Sequence, residues 1–172
     1  ETPTVAGLAR HLRDAELVAP QSPFVCLGTA SDAPPLFLVH GADGNAVNFR
    51  ELGRRLAPHA TVYGIDTVHI WRRHDANDVL GVEQLARIYA DRILSDFPDL
   101  AEIRLGGWSF GGLVALEMAR YLTARGRRVV AAFAIDSALH EAAADLLAAM
   151  DTDAGRHRIA FEVGVVDVGD FE

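Results

Sequence analysis

Gly107-Trp108-Ser109-Phe110-Gly111 sets one serine between two glycines at the end of an apolar approach, Ile103-Arg104-Leu105-Gly106. A serine hydroxyl is a weak nucleophile until a base takes its proton and donors meet the oxyanion formed during attack. The pattern G-x-S-x-G supplies the local half of that chemistry. A sharp strand-to-helix bend lifts the hydroxyl clear and points main-chain amides at the reacting carbonyl. Gly107 and Gly111 suit such a bend because a cramped turn leaves no room for a Cβ on either side. The following run, Leu113 to Leu122, has the apolar spacing of a buried helix, so the strand and helix that the motif requires are both readable. Gly106, Gly107, Gly111 and Gly112 do not spell the dinucleotide pattern G-x-G-x-x-G, and no lysine stands where a phosphate-binding loop needs one.

The serine needs an acid, a base and amide donors. Asp136 ends the apolar run Arg128–Ile135 and comes after Ser109, in the chain order serine, acid, histidine. Its other reading is a cap for a helix beginning near Leu139. Asp66 also ends a strand but precedes the serine, which makes it a second choice. For the oxyanion hole, the amide after the nucleophile belongs to Phe110. The second donor comes from the turn after an earlier strand, where His40-Gly41-Ala42 points to Ala42. His40 itself reads as an anchor for that turn.

No later histidine suits the role of base. His140 follows Asp136 too closely, and His157 sits in a basic polar stretch, Gly155-Arg156-His157-Arg158. His69 and His74, with Asp75 and Asp78, have no helix-face ligand spacing and read as a charged surface loop rather than a metal site. The expectation is that the general base is absent from this chain.

Alternating elements must position these residues. Leu36–Val39, Thr61–Ile65, the approach to Ser109 and Arg128–Ile135 are short apolar runs, as strands buried on both faces are. Phe49, Leu52, Leu56 and Ala57 mark one helix face, ended by Pro58. Val82, Leu85, Ala86, Tyr89, Ile93 and Phe97 mark another, closed by Pro98. The alternation predicts a parallel sheet between helices. Ahead of it stand a short amphipathic segment (Val5, Leu8, Ala9, Leu12) and a proline-bearing linker with a short strand at Phe24-Val25-Cys26-Leu27. Residues 66–80 read as a surface loop, and Leu139–Met150 as a helix.

Half of the 172 residues are hydrophobic and 23% are charged, the balance of a globular domain. A net charge of −8 argues against a nucleic-acid or anionic-membrane surface. No apolar run is long enough to span a bilayer. The first residues lack the basic start and apolar stretch of a secretory signal. Cys26 stands alone, as an apolar filler or exposed thiol, which suits a reducing cytoplasm.

Taken together, Pro35-Leu36-Phe37-Leu38-Val39-His40-Gly41, Gly107-Trp108-Ser109-Phe110-Gly111-Gly112 and Ala134-Ile135-Asp136-Ser137 resemble the thioesterase domains that end nonribosomal peptide synthetases and polyketide synthases. The resemblance covers roughly residues 35–150. It implies an α/β class, the α/β-hydrolase fold: a mostly parallel sheet with helices on both faces, truncated in or just after the start of a lid. Residues 139–172 would begin that lid, and the histidine that Asp136 orients would lie beyond it. Thr2-Pro3-Thr4-Val5-Ala6-Gly7-Leu8-Ala9 is similar to the last helix of a peptidyl-carrier domain. The implied division is a carrier helix at 1–14, a linker at 15–34 and the thioesterase domain at 35–172.

By the same resemblance, Ser109 takes a peptidyl or polyketide chain from the phosphopantetheine thioester of an upstream carrier in cis. Water or a group within the chain then releases it. The domain itself would bind no cofactor and no metal. A stand-alone type II thioesterase or serine esterase, and a catalytically inactive scaffold that docks carriers, are the alternatives.

Overall fold

Parallel strands joined by helices need a crossover between each pair, and the direction of each crossover decides which face its helix covers. The computed structural model describes residues 4–7, 22–30, 33–67 and 80–137. In them five strands form one sheet: β1 (Phe24–Gly28), β2 (Leu36–Val39), β3 (Val62–Ile65), β4 (Glu102–Trp108) and β5 (Arg128–Ile135). Their order is β1-β3-β2-β4-β5. The helices are α1 (Arg50–Leu56), entered through a 3-10 turn at Ala46–Phe49, α2 (Val82–Asp96) and α3 (Phe110–Ala124).

β2 runs parallel to β3, with Val39 opposite Ile65, and parallel to β4, with Val39 opposite Gly107. β4 runs parallel to β5, with Trp108 opposite Ile135. From β2 the chain steps to one side to make β3, then returns past β2 to make β4 and continues to β5. Right-handed crossovers in opposite directions place their helices on opposite faces.

The core divides accordingly. Phe37, Val39, Ile65, Ile103, Leu105 and Val129 point to the face covered by α2 and α3, where they meet Tyr89, Ile93, Leu116, Met118 and Leu122. Leu36, Leu38 and Val62 point the other way, toward Phe49, Leu52 and Leu56. Alternate residues of one strand thus serve two buried layers, which is why these strands read as unbroken apolar runs. The expected mostly parallel sheet with helices on both faces is what forms.

β1 is the antiparallel exception. It pairs with β3, Phe24 opposite Ile65 and Cys26 opposite Tyr63. Phe24 joins an aromatic group with Phe37, Tyr63 and Phe97, ring centroids 5.1–6.4 Å apart. The sheet therefore begins inside residues 15–34, at the short strand expected within the linker.

Local chemistry ends the helices where the sequence indicates. α2 starts with the Gln84 side chain accepting from the Gly81 N–H at 2.9 Å and stops at Phe97, since the residue before a proline disfavours helix. α3 ends at Ala124, two residues before Gly126, whose φ of 73° suits a residue without Cβ. The segment resembling a carrier helix is described only at residues 4–7, where 5–7 are helical. Of the loop expected at 66–80, residues 68–79 lie outside the described residues, as do the helix expected at Leu139–Met150 and the lid expected at 139–172. Among the described residues, no helix is long and apolar enough to cross a membrane.

Phe37 is fully buried at the centre of the aromatic group. Phe37→Ala is expected to lower the unfolding free energy by about 3–5 kcal/mol with an unchanged denaturant slope. Urea titration of both proteins checks this; a loss below about 1 kcal/mol would remove the ring group from the core.

Candidate active site

Strand order decides what can meet. In an open parallel sheet a crevice opens beyond the carboxyl ends of the strands where the connections diverge, here between β2 and β4. The turn after β2 begins at His40, the turn after β4 is Ser109, and the turn after β5 is Asp136. Register places all three at one sheet edge, because Val39 stands opposite Gly107 and Trp108 opposite Ile135.

Ser109 has φ 53° and ψ −122°, a conformation that side chains with a Cβ rarely adopt. Such a backbone costs about 1–3 kcal/mol and persists only where its surroundings over-determine it. Here they do. The Ser109 N–H donates to the Ile135 carbonyl at 2.8 Å, and its own carbonyl accepts from the Gly112 N–H at 3.0 Å and the Ser137 hydroxyl at 2.7 Å. The two flanking glycines are steric necessities: a Cβ on Gly107 would overlap the Gly111 carbonyl, and one on Gly111 would overlap the carbonyls of Val39 and His40. α3 is thereby pressed against both its own strand and the end of β2.

This close approach carries the turn after β2 onto the serine bend. Gly41 lies against the Trp108 ring, and the turn closes with a Gly44 N–H bond to the Gly41 carbonyl at 3.1 Å. Ala42 and Asp43 are the exposed residues within that turn. Phe110 is the first residue of α3. The first amides of a helix have no acceptor inside it and sit at the positive end of its dipole, so an anion beside Ser109 meets a favourable field. Trp108 and Ile135, 38% and 39% exposed, add apolar surface at the same edge.

His40 is an anchor, as its sequence position suggests. It is 2% exposed and both ring nitrogens are engaged. Nδ1 lies 2.5 Å from the Gly41 carbonyl and Nε2 lies 2.7 Å from the Tyr89 hydroxyl. The arrangement closes if Nδ1–H donates to Gly41 and Nε2 accepts from Tyr89, the neutral ring. Burial pushes the His40 pKa down from 6.5, against the Gly41 carbonyl and the more distant charges of Asp66 and Asp43. Tyr89, fully buried on α2, has its phenol pKa raised, chiefly by burial.

The remaining candidates separate cleanly. Asp136 is exposed, with φ 48°, directly after β5. Asp66 ends β3, on the far side of β2 from Ser109, and its carboxylate accepts from the Ala46 N–H at 3.4 Å. His59, exposed between α1 and β3, lies at the opposite end of the sheet from Ser109. His69, His74, His140 and His157 lie outside the described residues, as do Asp75 and Asp78. Cys26 is an exposed thiol. Tyr89 and Ser137 were not singled out from the sequence. Tyr89 could have been, because a tyrosine on a buried helix face needs a partner for its hydroxyl.

A family model for the thioesterase domain matches residues 34–167. This chain belongs to the thioesterase domain family.

Among curated relatives, a dimodular nonribosomal peptide synthase of Bacillus subtilis (strain 168) is 33% identical over 129 residues, 75% of this chain and 5% of that protein. Malpibaldin synthetase of Mortierella alpina is 34% identical over 139 residues, 78% of this chain and 2% of that protein. This thioesterase chain thus spans only a small part of the curated relatives it matches. Among solved structures, the NocB thioesterase domain, in covalent complex with a fluorophosphonate nocardicin G analogue, is similar with a TM-score of 0.54 and 32% identity. The match covers 62% of this chain and 46% of that one. A four-domain nonribosomal peptide synthetase bound to AMP and glycine gives a TM-score of 0.64 at 28% identity, over 78% of this chain and 10% of that one. The expected α/β-hydrolase fold is borne out, and family membership supports hydrolase activity.

Because His40 resists protonation in the folded state, the unfolded chain binds its proton more readily just below pH 6.5. Its contribution to stability is complete above that pH and is lost as the pH falls through the depressed folded value. The melting temperature of the native protein is expected to drop between about pH 7 and pH 5 more steeply than that of His40→Gln. Equal slopes in the two proteins would show that His40 is not held neutral.

Proposed function

We propose that this thioesterase domain releases the finished chain from a nonribosomal peptide or polyketide assembly line. The observation that carries the reading is Ser109, held at positive φ at the head of α3 against the turn that follows β2. The Ser109 hydroxyl attacks the carbonyl of a carrier-bound phosphopantetheine thioester while its proton passes to a histidine outside the described residues. Neither described histidine suits that role, since His40 has both nitrogens engaged and His59 lies at the wrong end of the sheet. Asp136 orients the base and balances its charge. The Phe110 and Ala42 amides meet the oxyanion of the tetrahedral intermediate. Its collapse breaks the C–S bond, and the pantetheine thiol leaves with the proton from the histidine. The acyl-Ser109 ester is then opened by water, giving an acid, or by a hydroxyl or amine within the chain, giving a ring.

The relatives support the carrier as partner, because they include a dimodular nonribosomal peptide synthase and a non-reducing polyketide synthase. The substrate arrives covalently on phosphopantetheine, so the domain needs neither a cofactor nor a metal of its own.

A serine-directed fluorophosphonate should label Ser109 of the intact protein, and Ser109→Ala should abolish both labelling and acyl-enzyme formation while leaving the fold unchanged. Intact-mass and peptide-mapping measurements read both; acylation that persists in the variant sinks the assignment. Turnover of a peptidyl-pantetheine thioester should exceed that of a simple ester by at least about 10-fold, since remote contacts to the carried chain lower the barrier. Equal turnover would favour a general esterase.

A further inference from the structure

Both polar main-chain groups of Ser109 are bonded to the residues on either side of Asp136. The Ser109 N–H donates to the carbonyl of Ile135, and its carbonyl accepts from the hydroxyl of Ser137 at 2.7 Å. Ser109 and Asp136 are also the two described residues other than glycine with positive φ, at 53° and 48°. Two strained turns from adjacent strands are thus cross-tied, one bond on each side of the acid.

The Ser137 hydroxyl also lies 3.3 Å from the Ile135 carbonyl, and its single proton goes to the nearer oxygen, that of Ser109. Room for this contact is made on α3. A Cβ on Gly112 would overlap Ser137 Oγ and crowd the Ala134 methyl. The second glycine after the serine bend therefore serves the Ser137 tie, whereas Gly107 and Gly111 serve the bend itself.

We infer that Ser137 is a positioning residue, whose hydroxyl locks the serine bend and the Asp136 turn into one unit. The inference rests on the proposed roles of Ser109 and Asp136. The bond adds little to overall stability, because Ser137 is half-buried and the Ser109 carbonyl keeps the Gly112 N–H when the hydroxyl is removed. It sets where the nucleophile stands relative to the acid. Displacements of about 1 Å at a reacting group can cost as much as 100-fold in rate. Substrate recognition remote from the bond is untouched, so the loss falls on kcat and not on KM.

The test uses the intact protein with Ser137→Ala, Ser137→Thr and, as control, Ser109→Ala. Four quantities are read: kcat and KM for a peptidyl-pantetheine thioester, the rate of fluorophosphonate labelling of Ser109, and the melting temperature. Ser137→Ala should lower kcat and the labelling rate about 10-fold with KM unchanged and the melting temperature within a few degrees. Ser137→Thr, which keeps the hydroxyl, should recover most of the loss. Unchanged kcat and labelling in Ser137→Ala would overturn the inference while leaving Ser109 as nucleophile. So would a loss that appears equally in KM, follows the melting temperature and is not recovered by threonine. Failure of the unsubstituted protein to label at Ser109 would remove both the inference and the reading beneath it.

Discussion

A serine that is asked to adopt a positive φ will leave it unless every route out is blocked, and that constraint organises the middle of this protein. Ser109 is blocked from three sides. Its amide is held by the end of β5, its carbonyl by α3 and Ser137, and the chain on either side by glycines packed onto carbonyl oxygens. The strain is local, but what holds it is distributed over three strands and a helix. The bend is therefore only as rigid as the sheet beneath it, and burial of the strand residues on both faces supplies that rigidity.

The sheet order does a second job. Because β2 lies between β3 and β4, the connections leaving β2 and β4 turn to opposite faces, and the space above the two strand ends stays open. The His40–Ala42 turn and the start of α3 fill its two sides. A buried chain of polar contacts from Tyr89 through His40 to Gly41 ties the first of these to α2. Unpaired, those groups would carry a desolvation cost; paired, they hold the turn that faces the serine. The helix on one face and the turn at the sheet edge are thus mechanically joined through a neutral imidazole.

Most of the architecture is legible in the amino-acid sequence. Strands that serve two layers read as apolar runs such as Leu36–Val39, and Pro58 and Pro98 mark helix ends because the residue before a proline disfavours helix. The serine bend was legible through its motif, and the clash that demands Gly107 is local, with the Gly111 carbonyl; the clash that demands Gly111 is with the distant carbonyls of Val39 and His40. Less legible was the partnership of Tyr89 with His40, 49 positions apart, and the tie from Ser137 to Ser109, 28 positions apart. A hydroxyl's partner across such distances depends on which strands are neighbours, and no local spacing records that.

The amino-acid sequence by itself determined the kinds of element, their order, the bend at Ser109 and the placing of an acid after a later strand. These follow from short-range sterics and from periodic burial, which act within a few residues. Tertiary structure alone decided that β1 joins the sheet antiparallel, that the turn after β2 rests on Trp108, and that the Asp136 turn is clasped to the serine bend. Those are contacts between distant segments. They come into being only when the strands settle side by side and close packing leaves each polar group one partner within reach.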